Sequence, residues 1–373
     1  MRNNDEIIEF NCTGYLRIIL MMFVCIWAWG CPDPTGIVRS ISGFAIPAFF
    51  VLSGYYVLDN KRDVRLEKTL RKIKRTALCF AFVFVFYLAL NLALIFLYHL
   101  SFEFTKRIVF EFVVLNLWPL AIGDNIWFIQ AMLYAYIIIF ILDYLKLMKF
   151  YKIILVILIL IMLLTGEFAG AIRFSIFGYP YIPGNWLTRA LPYILIGRLL
   201  REKKRSLMKA QFWKYIIAFV VGAGLVFLEI MGLGVLGVLN YKGHLIGFGV
   251  MAVAVCGLAI SLPIGKANRV IHFDSAISGL MYIIMNPIYC LLVFFLGNQH
   301  LDFLTMLGGL SAFLISFLLA LILCGIPPVR LFFTNWDMRL KDAVVIDDED
   351  DDDDDEPIQP NMPRARAPRI DPD

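Results

Sequence analysis

Between Thr13 and Gly325 the chain breaks into long apolar runs at 13–31, 37–57, 76–99, 125–146, 152–168, 187–201, 213–233, 243–263, 272–297 and 302–325. A bilayer core about 30 Å thick takes about 20 helical residues to cross, and most of these runs approach or exceed that length. Inside hydrocarbon every backbone N–H and C=O must find a partner within the protein, so a spanning chain is either helical or a closed barrel. Barrel strands alternate apolar with polar residues, whereas these runs are continuously apolar. The expected fold is therefore all-α, a polytopic transmembrane helix bundle of about ten spans. Composition agrees, with 60% hydrophobic and 17% charged residues and a mean hydropathy of +0.77, far from a soluble domain.

Orientation follows from where lysine and arginine gather in the short connections. The stretch 61–75 carries eight basic residues against two acidic ones, which places it in the cytoplasm and the N-terminal segment 1–12 with it. Lys146 and Lys149, the cluster Arg201 to Arg205, and Lys266 with Arg269 agree if the apolar stretch 107–122 does not span. Its Glu111 and Pro119 fit a re-entrant or interfacial segment, covered by protein at membrane depth. Both termini are then cytoplasmic. The aromatic outer connection 168–186, with Phe174, Phe177, Tyr179, Tyr181 and Trp186, is either an interfacial belt or a lid.

Residues 13–330 form the expected membrane domain. The unbroken acidic run Asp347 to Glu356 repels itself and buries no core, so 345–373 is expected to be a disordered tail. The first run lacks a small-x-small cleavage pattern, Trp27 and Trp29 being bulky, and reads as a retained helix. Seven scattered cysteines give neither a disulfide framework nor a metal spacing. The net charge of +4 reports orientation and implies no nucleic-acid partner. Membrane lipids are the surroundings, and positive-inside signals without targeting motifs fit a plasma (inner) membrane.

Intramembrane charge is costly, so each such residue is a functional candidate. Arg17 enters the first run and either snorkels to the inner face or serves a site. Arg198 reads as an inner-face anchor, Arg189 lies near the outer mouth, and Glu229 and Asp274 fall near helix ends and read as solvated. Ser53 and Gly54 close the second run with small side chains that permit close helix approach. Together with Arg71, Lys72, Lys74 and Arg75 they could instead form a cytoplasmic pocket whose cations pair phosphates. Asn125 with Trp127 opens the fourth run, and Tyr282 through Pro287 interrupts the ninth, where proline removes a backbone donor and makes either a simple kink or room to bind.

In this order the segments Tyr15-Leu16-Arg17-Ile18-Ile19, Phe49 to Tyr55 with its basic cluster, Ile126-Trp127-Phe128-Ile129 with Tyr136, and Pro192 to Gly197 followed by Tyr282 to Pro287 resemble the acyltransferase-3 family of membrane O-acyltransferases. The resemblance covers roughly 13–325. It implies transfer of an acyl group, often acetyl, from cytoplasmic acyl-CoA (acetyl-CoA), without a metal, to a hydroxyl on a cell-surface glycan, lipid-linked sugar or similar acceptor at the far face. It further implies catalytic roles for Arg17, Asn125 and Asn286, donor binding by Ser53, Gly54, Arg71, Lys72 and Arg75, and acceptor binding by Trp127, Arg189 and Tyr282.

The chain departs from that family at the base. Members carry a histidine after ten residues beyond the arginine, and this position is Ala28; histidines are also common where this chain has Asn286 before Pro287 and Asn125 before Ile126. Imidazole accepts a hydroxyl proton near neutral pH, and neither alanine nor asparagine does. Asparagine can orient a substrate or donate to an oxyanion. Four histidines remain, His99, His244 and His300 toward the outer face and His272 toward the inner, and any of the first three could substitute as base. An inactive relative kept as a scaffold or binding protein is the alternative, and a transporter a further one resting on broken helices alone.

Overall fold

A computed structural model describes residues 10–33, 35–98, 105–120, 122–166, 168–172, 185–238, 245–264, 274–326 and 329. The chain divides into Met1–Asp337 and Met338–Asp373, and all described residues belong to the first. The acidic tail, His99, His244, His272 and residues 173–184 of the aromatic connection lie outside the described residues.

In chain order the helices are α1 (Thr13–Trp29), α2 (Ile37–Ile41), α3 (Ala45–Val57), α4 (Arg62–Tyr98), α5 (Lys106–Leu115), α6 (Ile126–Tyr144) and α7 (Tyr151–Thr165). There follow α8 (Ala169–Ile172), a π-helical turn (Trp186–Ala190) leading into α9 (Leu191–Glu202), α10 (Lys204–Lys209), α11 (Phe212–Val235), α12 (Ile246–Ser261) and α13 (Asp274–Cys324). One two-residue antiparallel pair, Phe10–Asn11 with Pro263–Ile264, ties the N-terminal segment to the end of α12.

Among the described residues seven stretches are long and apolar enough to cross a membrane: Ile37–Val57, Arg62–Leu97, Ile126–Tyr144, Leu147–Thr165, Phe212–Val235, Ala276–Val293 and Leu307–Cys324. Two shorter apolar helices, α1 and α12, accompany them. These nine coincide with nine of the runs read from the sequence. The remaining run, 187–201, is the π-turn with α9, whose Arg189 and Arg198 lower its hydropathy. The protein is an all-α polytopic bundle and an integral membrane protein. Its outward faces are apolar, as the exposed Val85, Ile153 and Val220 illustrate. That surface suits lipid, which solvates side chains that water would not.

α13 is continuous in backbone over 51 residues, yet it doubles back. A straight helix separates residues 19 apart by about 28 Å, whereas a Cβ built on Gly308 would lie 3.5 Å from the Tyr289 ring. The turn between them returns Gly309 to the end of α1, where its N–H donates to the Gly30 carbonyl at 2.9 Å.

At ten residues, α5 is about 15 Å long, shorter than a hydrocarbon core. The irregular chain after it is satisfied by buried side chains. Asn91 donates to the Ile122 carbonyl (2.6 Å) and accepts from its N–H (2.9 Å), Trp118 Nε1 donates to the same carbonyl (2.6 Å), and Asn116 Oδ1 accepts from Trp186 N–H (3.3 Å). Buried non-helical backbone persists when protein supplies such partners.

Helix α4 sets the frame of the site. Its 37 residues extend about 55 Å, well beyond a hydrocarbon core, and its apolar turns 76–98 are the part suited to that core, the turns from Arg62 to Arg75 being basic. Its inward stripe runs Arg65, Thr69, Thr76, Cys79, Val83, Tyr87 and Asn91, all buried, with Lys72 half-buried among them. Steps of three and four residues keep one helix face turned to the bundle. Across the bundle α3 and α9 cross at near backbone contact. A Cβ on Gly54 would meet the Ile194 carbonyl oxygen at 2.0 Å, and one on Gly197 the Val51 carbonyl oxygen at 2.1 Å.

Candidate active site

A cavity of about 140 Å³ opens between α1, α3, α4, α6 and α13. Its polar wall consists of Arg17, Ser53, Tyr56, Lys72, Thr76 and Ser278. The apolar wall is Met21, Phe49, Leu52, Phe128, Ile129 and Met132, and Tyr282 belongs to its boundary. The polar groups come from the ends of α1, α3, α4 and α13 that adjoin the basic 61–75 segment, and the apolar ones from deeper turns. The cavity thus grades from cationic to apolar along the helix axes.

Each cationic side chain is placed by its helix. Arg17 stands one turn after Thr13 on α1, and its guanidinium carbon lies 5.3 Å from the Tyr56 ring centroid on α3, a cation–π distance. The Tyr56 hydroxyl shares a 2.5 Å hydrogen bond with Thr13 Oγ1, which fixes the ring under the arginine. Lys72 reaches the cavity from α4. The Ser53 and Tyr136 hydroxyls hydrogen-bond each other, joining α3 to α6. Two positively charged side chains and several hydroxyls on one rim suit an anionic, phosphate-bearing group.

Beyond the apolar wall lies an amide cluster built by a proline. Pro287 cannot donate to the Ile283 carbonyl four residues earlier, and the Tyr87 hydroxyl donates to that carbonyl instead at 2.6 Å. One residue before it, the Tyr282 carbonyl accepts from Asn125 Nδ2 at 2.6 Å, while the Tyr282 hydroxyl donates to the Asn125 carbonyl at 2.6 Å. Asn286 Nδ2 donates to Asn125 Oδ1 at 3.3 Å, and Cys290 Sγ donates to Asn286 Oδ1 at 3.6 Å. Tyr282 is therefore both a wall of the cavity and a partner of the amides. Asn125 also donates to the Tyr87 hydroxyl, whereas Asn286 Nδ2 carries a second hydrogen, so the cluster can donate through Asn286 to an oxygen that gains negative charge.

Beside it, Asn185 caps the π-turn by accepting from the N–H groups of Leu187 (2.9 Å) and Thr188 (3.0 Å). The wider turn, closed by Ala190 N–H to the Asn185 carbonyl at 3.2 Å, brings Arg189 inward. Its guanidinium lies 5.8 Å from the Trp127 centroid, and the side chain is 5% exposed.

Of the residues singled out from the sequence, Arg17, Ser53, Lys72 and Tyr282 line the cavity, and Asn125 and Asn286 form the cluster adjoining it. Trp127 and Arg189 pack on each other and are not wall residues. Gly54 faces α9 at the helix crossing. Arg71 pairs with Glu67 one turn away at 2.5 Å and is not in the wall, nor is Arg75. Ala28 is half-buried, and its carbonyl accepts from Arg39 Nη2 at 3.2 Å. Glu229 is bound, its carboxylate accepting from the N–H groups of Ile246 (2.9 Å) and Gly247 (3.1 Å) at the start of α12. Arg198 is buried, stacked 4.3 Å from the Tyr151 centroid and paired with Glu202 at 3.4 Å. The fourth histidine, His300, has backbone in α13, and its side chain is outside the described residues.

Sequence reasoning missed Tyr56, Thr76, Ser278 and the ionic floor below the cavity. Arg65 binds Asp143 at two points (2.7 and 2.8 Å) and donates to the Asp59 carbonyl at 2.7 Å. The Asp59 carboxylate pairs with Lys68 at 2.7 Å and Arg201 at 3.7 Å. Burial raises the Asp59 carboxyl, but the Lys68 hydrogen bond and charge and the Arg201 charge outweigh it and hold the group below the usual carboxylate range. Asp143, an acid closing an otherwise apolar run, was a visible signal, since such a charge needs a cation. Among the described residues no three His, Cys, Asp or Glu side chains gather in a way that could hold a metal.

A family model described as an acyltransferase domain matches residues 12–326, most of the chain. No curated protein and no solved structure matches it.

Proposed function

Because this chain belongs to that acyltransferase family, we propose that it moves an acyl group, acetyl in the simplest case, from cytoplasmic acyl-CoA to a hydroxyl of a cell-surface glycan or lipid-linked sugar in the plasma membrane. The observation that carries this reading is the cavity's grading from Arg17 and Lys72, through an apolar passage, to Tyr282 and its amide partners. Nucleotide phosphates would pair with the two cations on the cytoplasmic rim, and the pantetheine arm would lie along the apolar wall. The thioester would then reach Tyr282. Positive charge in the 61–75 segment supports the cytoplasmic placement of that rim and of both termini.

In the transfer, the acceptor oxygen attacks the thioester carbonyl carbon, a C–O bond forms and the C–S bond breaks. The Asn286 amide, held by Asn125 Oδ1, stabilises the oxyanion formed on the way. The proton leaves the hydroxyl and ends on the departing sulfur, whose thiol form dominates below its ordinary pKa of about 8.5. Position 28 is Ala28 in place of the family's histidine, and loss of a general base lowers rate by about 10²–10⁴. The enzyme is expected to be slow.

Purified full-length protein supplied with radiolabelled acetyl-CoA and a broad panel of sugar acceptors tests this. Label should appear in an acceptor or as free acetate, and Arg17→Ala should abolish it. A complete lack of turnover across the panel would overturn the reading. Ala28 favours a second one, a scaffold that no longer turns over, and Ala28→His separates the two. Activity gained from a silent parent supports the scaffold, whereas a parent already active removes it.

A further inference from the structure

Thr76 is fully buried, belongs to the cavity wall, and its hydroxyl has no hydrogen-bond partner among the described residues. A helical threonine ordinarily satisfies this group by donating to the carbonyl one turn back, and buried polar atoms almost always have a partner. The neighbours sharpen the anomaly. Lys72 lies one turn earlier on the same inward stripe of α4 and also lines the cavity. Past Thr76 the stripe continues as Cys79 and Val83, both apolar. Thr76 therefore stands at the boundary between the cationic rim and the apolar passage, one helical turn, about 5 Å, beyond the nearest cation.

A ligand anchored at Lys72 by a phosphate would place opposite Thr76 the part of its structure next to that phosphate. For a thioester donor of the proposed kind this is the amide-bearing arm joining the phosphates to sulfur. We propose that Thr76 is a donor-binding residue whose hydroxyl hydrogen-bonds an amide of that arm, selecting arm-bearing thioesters over donors that offer phosphates alone. This rests on the acyl-CoA reading above. The hydroxyl can donate to an amide carbonyl or accept from an amide N–H.

The test measures binding to full-length protein in detergent with two probes, coenzyme A and adenosine 3′,5′-bisphosphate, which carries the phosphates without the arm. Thr76→Val keeps the shape and removes the hydroxyl, and Thr76→Ser keeps the hydroxyl. Thr69→Val is the control, removing an equally buried and unpartnered hydroxyl two turns away that does not line the cavity. One hydrogen bond corresponds to about two- to tenfold in affinity. Thr76→Val should weaken coenzyme A by about fivefold and leave the bisphosphate unchanged, with Thr76→Ser and Thr69→Val close to the parent. The ligand-free melting temperature of Thr76→Val should equal or exceed the parent's, since an unsatisfied buried group is removed. Unchanged coenzyme A affinity in Thr76→Val would overturn the role of Thr76 and leave the donor reading standing. Equal weakening of both probes, or a lower melting temperature, would also overturn it, marking a structural residue. Failure of the parent to bind coenzyme A would overturn the donor reading and this inference with it.

Discussion

Arg65 on α4 and Asp143 on α6 form a two-point ion pair, Nε to Oδ2 at 2.7 Å and Nη2 to Oδ1 at 2.8 Å, with side chains only 5% and 2% exposed. The planar guanidinium matches the carboxylate oxygen for nitrogen. Arg62 adds bonds to the Asp143 carbonyl at 3.2 and 3.3 Å, so the end of α6 is held against the base of α4 just below the cavity.

Removing one member strands the other. Asp143→Asn is expected to destabilise the protein by about 3–5 kcal/mol, because an uncompensated buried charge remains. The double variant Arg65→Met with Asp143→Leu should recover much of that loss. Thermal unfolding in detergent, read as a double-mutant cycle, measures both.

Asp59 gives the floor a pH dependence of known sign. Its folded pKa lies below its ordinary value because Lys68 and Arg201 outweigh burial. Its contribution is thus full above the unfolded pKa near 4 and is lost as pH falls through the folded value. The melting temperature of the parent should drop between about pH 5 and pH 3 more steeply than that of Asp59→Asn. Equal slopes would show that other carboxylates dominate.

The crossing of α3 and α9 leaves no room for a methyl group at either glycine. Gly54→Ala and Gly197→Ala each place a Cβ about 2 Å from a backbone carbonyl oxygen, so the helices must part. Both variants should lower the yield of folded protein and its melting temperature, whereas Ser53→Ala should be far milder. The comparison also separates a packing role for Gly54 from the donor-binding role that its sequence context suggested.

At the amide cluster, binding and turnover should separate. Asn286→Ala removes a donor but leaves the cationic rim untouched, so acetyl-CoA affinity should hold while kcat falls by about 10²–10³. Asn125→Ala should lower kcat too, by releasing the Asn286 amide that Asn125 Oδ1 holds, and also lower stability, since its side chain donates to the Tyr282 carbonyl on α13. Steady-state kinetics beside equilibrium binding would show it.

Much of this architecture is legible in the residues themselves. Apolar length fixes helices in a bilayer, because nothing else satisfies a backbone in hydrocarbon, and the runs read from the sequence recur as helices in order. Arg17, Lys72, Tyr282 and Asn286 stand out because charge, amides and proline are rare and costly at depth. What these residues touch is another matter. Arg71, Lys72 and Arg75 look alike as letters, yet only Lys72 falls on the inward stripe of α4 and lines the cavity.

The sequence by itself determined the class of fold, the helix order and the sign of charge at each end, since these follow from local composition and chain length. Only the tertiary structure decided that Ser53 meets Tyr136 while its neighbour Gly54 meets α9, that Asp143 answers Arg65, and that the Asn125 and Asn286 amides close on Tyr282. Those pairings join residues 75 or more apart in the chain. Helix rotation and crossing set them, and packing decides both, with no trace in the local pattern.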